Sequence, residues 1–196
     1  MSKRGCNTTS DPMKFSEYQR FLKELHRDGK YNWEIYAGVS FTTACRSSDV
    51  LKLKWKDILD KSSLTVTEQK TKKTRTISFN PSVQQKFKEL YDLMGRPDKE
   101  FYVAKSAYGE NRPMTVQHIN KVLKALKEKY KIDCEHFSTH SFRKTFGRYV
   151  YDTCGHTEES LLLLSRIFKH QSSQVTKAYI GITQQEIANI FDYIKL

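Results

Sequence analysis

Along the first quarter of the chain, apolar residues recur every three to four positions, the spacing of a helix that buries one face. Phe15, Tyr18, Leu22 and Leu25 predict a helix over about 15–26, closed by Asp28-Gly29, and a second helical stretch covers about 31–44. A short third begins near Ser47 and carries Val50, Leu51 and Leu53. The period then drops to two. Leu64, Val66 and Glu68 form one β-like run and Arg75 to Phe79 another, with Lys70-Thr71-Lys72-Lys73 as the turn between them. Helical spacing returns at Pro81, with Val83, Phe87, Leu90 and Met94 on one face. It continues after Thr115 (Ile119, Leu123, Leu126, Tyr130), after Thr139 as a cap (Phe142, Phe146, Tyr149, Val150) and after Thr157 (Leu161, Leu164, Phe168). A capping box at Thr183-Gln184-Gln185-Glu186 opens a last amphipathic stretch with Ile187, Ile190, Phe191 and Ile194. The pattern predicts roughly six to nine helices and one small antiparallel sheet, an α+β class that is mainly helical.

The chain has 196 residues, enough for one domain with its own core. No segment approaches the roughly 20 apolar residues of a membrane span, and the polar N-terminus lacks the apolar segment of a signal peptide. Residues 1–12 are polar, with Gly5 and Pro12, and are expected to be a flexible lead-in to a single domain over 13–196. The net charge of +12 is spread along the whole chain, which points to nucleic acid as a polyanionic partner rather than to a membrane surface. Cys6, Cys45, Cys134 and Cys154 show no zinc-ligand spacing and read as reduced thiols of a cytoplasmic protein. There is no Walker-type loop and no acidic cluster for two metals, so neither a metal nor a nucleotide cofactor is expected.

Metal-free chemistry on a phosphodiester needs a hydroxyl nucleophile, donors for the charged phosphate oxygens and a proton for the leaving oxygen. Guanidinium forks match phosphate oxygens well. The chain offers such a set in order: Arg46 with Asp49 one turn on, Lys70 in the hairpin turn, His140 and Arg143 one helical turn apart, His170, and Tyr179 nine residues later.

These residues lie in recognisable surroundings. The run from Arg46 to Ile58 resembles the pattern R-x-x-E/D-hydrophobic-L-x-L-x-W-x-D-I, and His140 to Phe146 resembles H-x-x-R-[HK]-[TS]-F. Lys70 stands in a run similar to K-x-x-K-x-R-x-[VI]. Together they resemble the tyrosine recombinases, also called the phage integrase family, over about residues 13–185. The resemblance implies the catalytic-domain fold of these DNA breaking-rejoining enzymes, and site-specific recombination through a 3′-phosphotyrosyl intermediate on Tyr179. It implies that Arg46 and Arg143 clamp the phosphate and that Asp49 orients catalytic groups. Lys70 would protonate the leaving 5′ oxygen, with Lys72 and Lys73 as neighbours able to bind backbone phosphates. His140 would donate to a phosphate oxygen or shuttle the tyrosine proton, and His170 would be a third donor. Double-stranded DNA and a homotetramer assembled on it are the implied partners, with no cofactor, no membrane and a cytoplasmic, nucleoid-associated location. A type IB topoisomerase, or a catalytically silent DNA-binding regulator on the same fold, are the alternatives. No N-terminal core-binding domain is expected, and the last helix is expected to dock on a neighbouring protomer or on its own core. Two positions depart from the family pattern: Ala44-Cys45 stands where T-G-[LM] is usual, and Lys169 where glycine commonly precedes the late histidine. His26, His118, His136 and His156 match no family position and read as structural or DNA-facing.

Overall fold

The computed structural model describes residues 10–182. Among them are nine helices and one two-stranded sheet, in the order α1 (Phe15–Arg27), α2 (Tyr31–Thr43), α3 (Ser47–Val50), α4 (Trp55–Ile58), β1 (Ser63–Thr67), β2 (Thr74–Ser78), α5 (Pro81–Leu93), α6 (Val116–Tyr130), α7 (Thr139–Thr153), α8 (Glu158–Phe168) and α9 (Ser173–Tyr179). The capping box at Thr183 and its helix lie outside the described residues. None of the described helices is long and apolar enough to cross a membrane.

Helix α2 forms the centre. Trp33, Ile35, Tyr36, Ala37 and Val39 are all buried, so the helix is apolar around most of its circumference and is wrapped by α1, α5 and α7. Phe21, Tyr36 and Phe142 bring aromatic rings from α1, α2 and α7 into the main core, with Tyr36 and Phe142 edge-to-face at 6.0 Å. A second, smaller cluster joins Ala44 to Leu161, Leu164, Phe168 and Ile180. It fastens α8 and α9 to α7 and so carries the late histidine and tyrosine.

That attachment depends on Gly147. A Cβ at this position would lie 2.6 Å from Ile180 Cγ2 and 2.8 Å from the Phe168 ring. Gly147→Ala is therefore expected to lower stability by about 1–3 kcal/mol through overpacking and to displace α9. Urea unfolding measures the first effect, and an unchanged midpoint would refute it.

In the hairpin, β1 pairs antiparallel with β2 from Ser63↔Ser78 to Thr67↔Thr74. Thr65–Thr76 and Thr67–Thr74 hydroxyl pairs line the exposed face, while Leu64, Val66 and then Glu68 point inward. The structure differs from the sequence reading in several places, among them α9, which the apolar spacing does not predict. Helix α7 is capped by Ser138, whose Oγ accepts from His140 N at 3.3 Å, so Thr139 is the first helical residue rather than the cap. The single-turn α4 is too short to leave a periodic signal. Residues 10–12, expected within the flexible lead-in, are tied down: Asp11 N donates to the His136 carbonyl at 3.1 Å, and Lys144 Nζ donates to the Ser10 carbonyl at 2.5 Å.

Both departures from the family pattern fall on left-handed backbone. Ala44 ends α2 at φ 48° and Lys169 ends α8 at φ 56°. Glycine adopts this conformation freely, whereas a residue with a Cβ is strained there by about 1–2 kcal/mol. The chain keeps the backbone path that a glycine would favour, although the residue has changed.

Candidate active site

Four segments converge on one region. The first is the turn after α2. Its backbone is held from outside: Arg75 Nη2 donates to the Thr43 carbonyl at 2.8 Å, Arg143 Nη1 donates to the Ala44 carbonyl, and Cys45 N donates to Thr43 Oγ1 at 3.2 Å. Arg46 follows, four-fifths buried at its side chain, and Nη1 donates to Glu68 Oε2.

The second segment is the hairpin loop. Asp49 is buried, and its Oδ1 accepts from Gln69 N at 3.0 Å, so this acid pins the loop backbone one residue before Lys70. Lys70 itself is exposed and has no hydrogen-bond or ion-pair partner among the described residues. The fold places its loop beside Arg46 but does not bring its ammonium into the cluster.

The third segment is the start of α7. Arg143 is 3% exposed, and besides the Ala44 carbonyl it donates through Nη2 to the Phe168 carbonyl at 3.0 Å. Two of its five N–H donors are thus committed to backbone carbonyls. His140 is half-buried one turn earlier, and burial, with Arg143, Lys144 and Arg46 nearby, lowers its pKa.

The fourth segment runs from the end of α8 through α9. The His170 and Tyr179 rings are perpendicular, with centroids 4.9 Å apart, and the Arg143 guanidinium lies 6.0 Å from the Tyr179 ring. Burial raises the Tyr179 pKa, and the Arg143 charge, a hydrogen bond with Arg143 and the Arg46 charge oppose that shift. Thr176 Oγ1 donates to the Ser172 carbonyl at 3.3 Å, so its lone pairs face His170 Nδ1 at 3.0 Å. This assigns the proton to Nδ1 and leaves Nε2 as an acceptor.

Burial, reinforced by Arg143 and Arg46, pushes the His170 pKa down to about 4. The folded value lies below the ordinary unfolded one, so the resulting stability is complete above pH ~6.5. It is lost as pH falls toward 4, because the unfolded chain takes up a proton that the folded chain refuses. Thermal unfolding between pH 7 and 4 should show a loss on the order of 2 kcal/mol that His170→Asn removes. Equal acid sensitivity in both proteins would contradict this.

Arg46, His140, Arg143, His170 and Tyr179 are therefore brought together. Sequence reading overlooked several companions. Glu68 pairs with Arg46, Arg75 braces the turn before it, Thr176 sets the His170 tautomer, and the Lys144 ammonium sits 5.3 Å over the Tyr179 ring. Only Glu68 left a signal, as an acid on the inward phase of a β run. The remaining histidines pair elsewhere: His26 with Glu34 at 2.9 Å, His136 with Asp11 at 2.8 Å and His156 with Asp152 at 3.0 Å, while His118 packs 6.0 Å from the Trp33 ring.

Residues 12–186 match the Phage integrase family. The chain belongs to that family. A Bacillus subtilis (strain 168) protein described as "Probable integrase/recombinase YoeC" is 33% identical over 171 residues, which is 87% of each chain. The phage integrase fold is also evident in solved structures. XerA recombinase superposes with a TM-score of 0.71 at 18% identity, over 94% of this chain and 66% of XerA. XerH, in a post-cleavage complex with palindromic difH substrate, gives 0.69 at 18% identity, over 97% of this chain and 56% of XerH. The lambda integrase catalytic core gives 0.56 at 17% identity, over 79% of this chain and 90% of that core. The chain thus spans between half and two thirds of XerH and XerA, and its fold is that of a tyrosine recombinase catalytic domain.

Proposed function

We propose that this phage integrase family member cleaves and rejoins double-stranded DNA at specific sites, with Tyr179 as the nucleophile. The observation that carries the reading is the placement of Tyr179 beside His170 and Arg143 of its own protomer, within the field of Arg46. In this mechanism the Tyr179 oxygen attacks the scissile phosphorus, a phosphotyrosyl bond forms, and the bond from phosphorus to the 5′ oxygen breaks. Arg46 and the uncommitted donors of Arg143 neutralise the non-bridging oxygens as charge builds in the transition state. The phenol proton passes to Nε2 of His170, which burial keeps neutral. The resulting imidazolium then donates to a phosphate oxygen, and His140 donates to another. Lys70, free on its loop, supplies the proton to the leaving 5′ oxygen. The phosphotyrosyl bond conserves the energy of the broken phosphodiester, so attack by a 5′ hydroxyl reverses the step without ATP. The +12 charge of the chain suits the DNA backbone, and pairing two sites calls for a homotetramer.

The test is a nicked suicide substrate, from which the short 5′-hydroxyl fragment diffuses away. Protein should become attached to the 3′ end, resist denaturant, and leave a free 5′ hydroxyl. A 5′ attachment, or no attachment at any site offered by the relatives' DNA, would overturn the reading. Relaxation of plasmid lacking a target site would instead favour topoisomerase action.

A further inference from the structure

One buried carboxylate has no part in that chemistry. Glu68 is fully buried at the inward end of β1, where an ionised group is retained only if it is well paired. Its Oε2 accepts from Arg46 Nη1 and from Thr71 Oγ1 at 2.9 Å, and its Oε1 lies 3.5 Å from Arg75 Nε. Burial pushes its pKa up, but the Thr71 hydroxyl and the Arg46 charge outweigh this and hold it below the usual carboxylate range. Its main chain closes the loop that carries Lys70: Glu68 N donates to the Lys73 carbonyl at 3.0 Å, and Lys72 N donates to the Glu68 carbonyl at 2.9 Å. Arg75 extends the same network to the Thr43 carbonyl and to Cys45 Sγ at 3.1 Å, immediately before Arg46.

We propose that Glu68 is a positioning residue for strand cleavage, holding the Arg46 guanidinium so that its remaining N–H donors face the scissile phosphate. This rests on the proposed cleavage by Tyr179. Arg46, Arg75 and Arg143 put three positive charges around the site, and Glu68 is the carboxylate that pairs with two of them. Without its charge the guanidiniums repel, and Arg46 loses the bond that fixes its direction. Glu68 touches no reacting atom, so its effect must pass through Arg46.

The experiment compares wild type, Glu68→Gln and Thr71→Val by single-turnover cleavage at saturating DNA, on two substrates. One carries an ordinary scissile phosphodiester. The other carries a scissile methylphosphonate, which has one non-bridging oxygen and no charge, and so makes little demand on Arg46. Glu68→Gln should slow cleavage of the phosphodiester roughly ten- to a hundredfold, as when an outer hydrogen-bond partner of a working group is removed. DNA affinity should change less than about threefold, because phosphate contacts along the backbone dominate it. On the methylphosphonate the penalty should shrink below about threefold. A structural defect would slow both substrates equally, and that result would overturn the inference, as would a wild-type rate on the phosphodiester. If Glu68→Gln shows no cooperative melt, Thr71→Val carries the same comparison, with a smaller but substrate-selective loss expected. No adduct from wild type would sink the Tyr179 reading and this inference together. A wild-type adduct with unselective variants would sink the inference alone.

Discussion

Tyr179→Phe should form no covalent DNA adduct while folding and binding DNA much as the parent does. The substitution removes one oxygen and leaves the ring. That ring is held edge-on by Phe168 at 5.3 Å and by His170 at 4.9 Å, with Lys144 over its face at 5.3 Å. None of these ring contacts needs the hydroxyl, and only its hydrogen bond with Arg143 is lost, so the change in unfolding free energy should stay within about 1–2 kcal/mol. The chemistry has no substitute for the lost nucleophile, and adduct should fall below detection on a denaturing gel. Tyr149→Phe is the matched control. Tyr149 packs against Phe15, with ring centroids 4.1 Å apart, in the α1–α7 packing, and its variant should retain the adduct. Adduct surviving in Tyr179→Phe would place the nucleophile elsewhere.

Arg143→Lys should have the second largest effect, although it conserves charge. The guanidinium bridges two backbone carbonyls, Ala44 before the first arginine and Phe168 at the end of α8, and it still has donors to present to a phosphate. An ammonium is a point charge and cannot span all three. Loss of one donor aimed at transition-state charge slows cleavage by about 10²–10³. Leaving a buried carbonyl without its partner should also lower stability by about 1–3 kcal/mol. Single-turnover cleavage and urea unfolding read the two effects separately. Near-normal cleavage by Arg143→Lys would show that the bridging geometry is not what the reaction uses.

The two effects come from the same residue because the site is built into the core rather than laid on the surface. Arg143 is nearly as buried as Phe142 beside it, and it joins the turn after α2 to the end of α8. Reacting groups that are also structural ties are expected to show coupled losses of activity and stability. Lys70, whose ammonium has no partner among the described residues, should show loss of activity alone.

The elements with strong apolar periodicity were evident from the sequence. α1, α5, α6 and α8 each follow a three-to-four spacing, and the hairpin follows strict alternation with its basic turn. The family boxes marked Arg46 and the His140–Arg143 pair by residue type and local spacing, and Tyr179 stood out by its nine-residue interval from His170. Ser138 was missed as the α7 cap because Thr139, its neighbour, is equally able to accept from a helix N-terminus.

Spacing within one element says which residues share a face; it says nothing about which distant face will meet it. The Arg46–Glu68 pair spans 22 positions, and the Arg143–Ala44 bond spans 99. The Ser10 carbonyl is held by Lys144, 134 positions away. These pairings arise when helices close on one another and burial makes an unpaired charge or carbonyl costly. The sequence by itself marked the periodic helices, the hairpin and the side chains proposed to react. Tertiary packing alone decided that Gly147 seats α9, that Arg143 bridges Ala44 and Phe168, and that one buried carboxylate faces Arg46. Each depends on a contact between elements, and no local periodicity encodes such a contact.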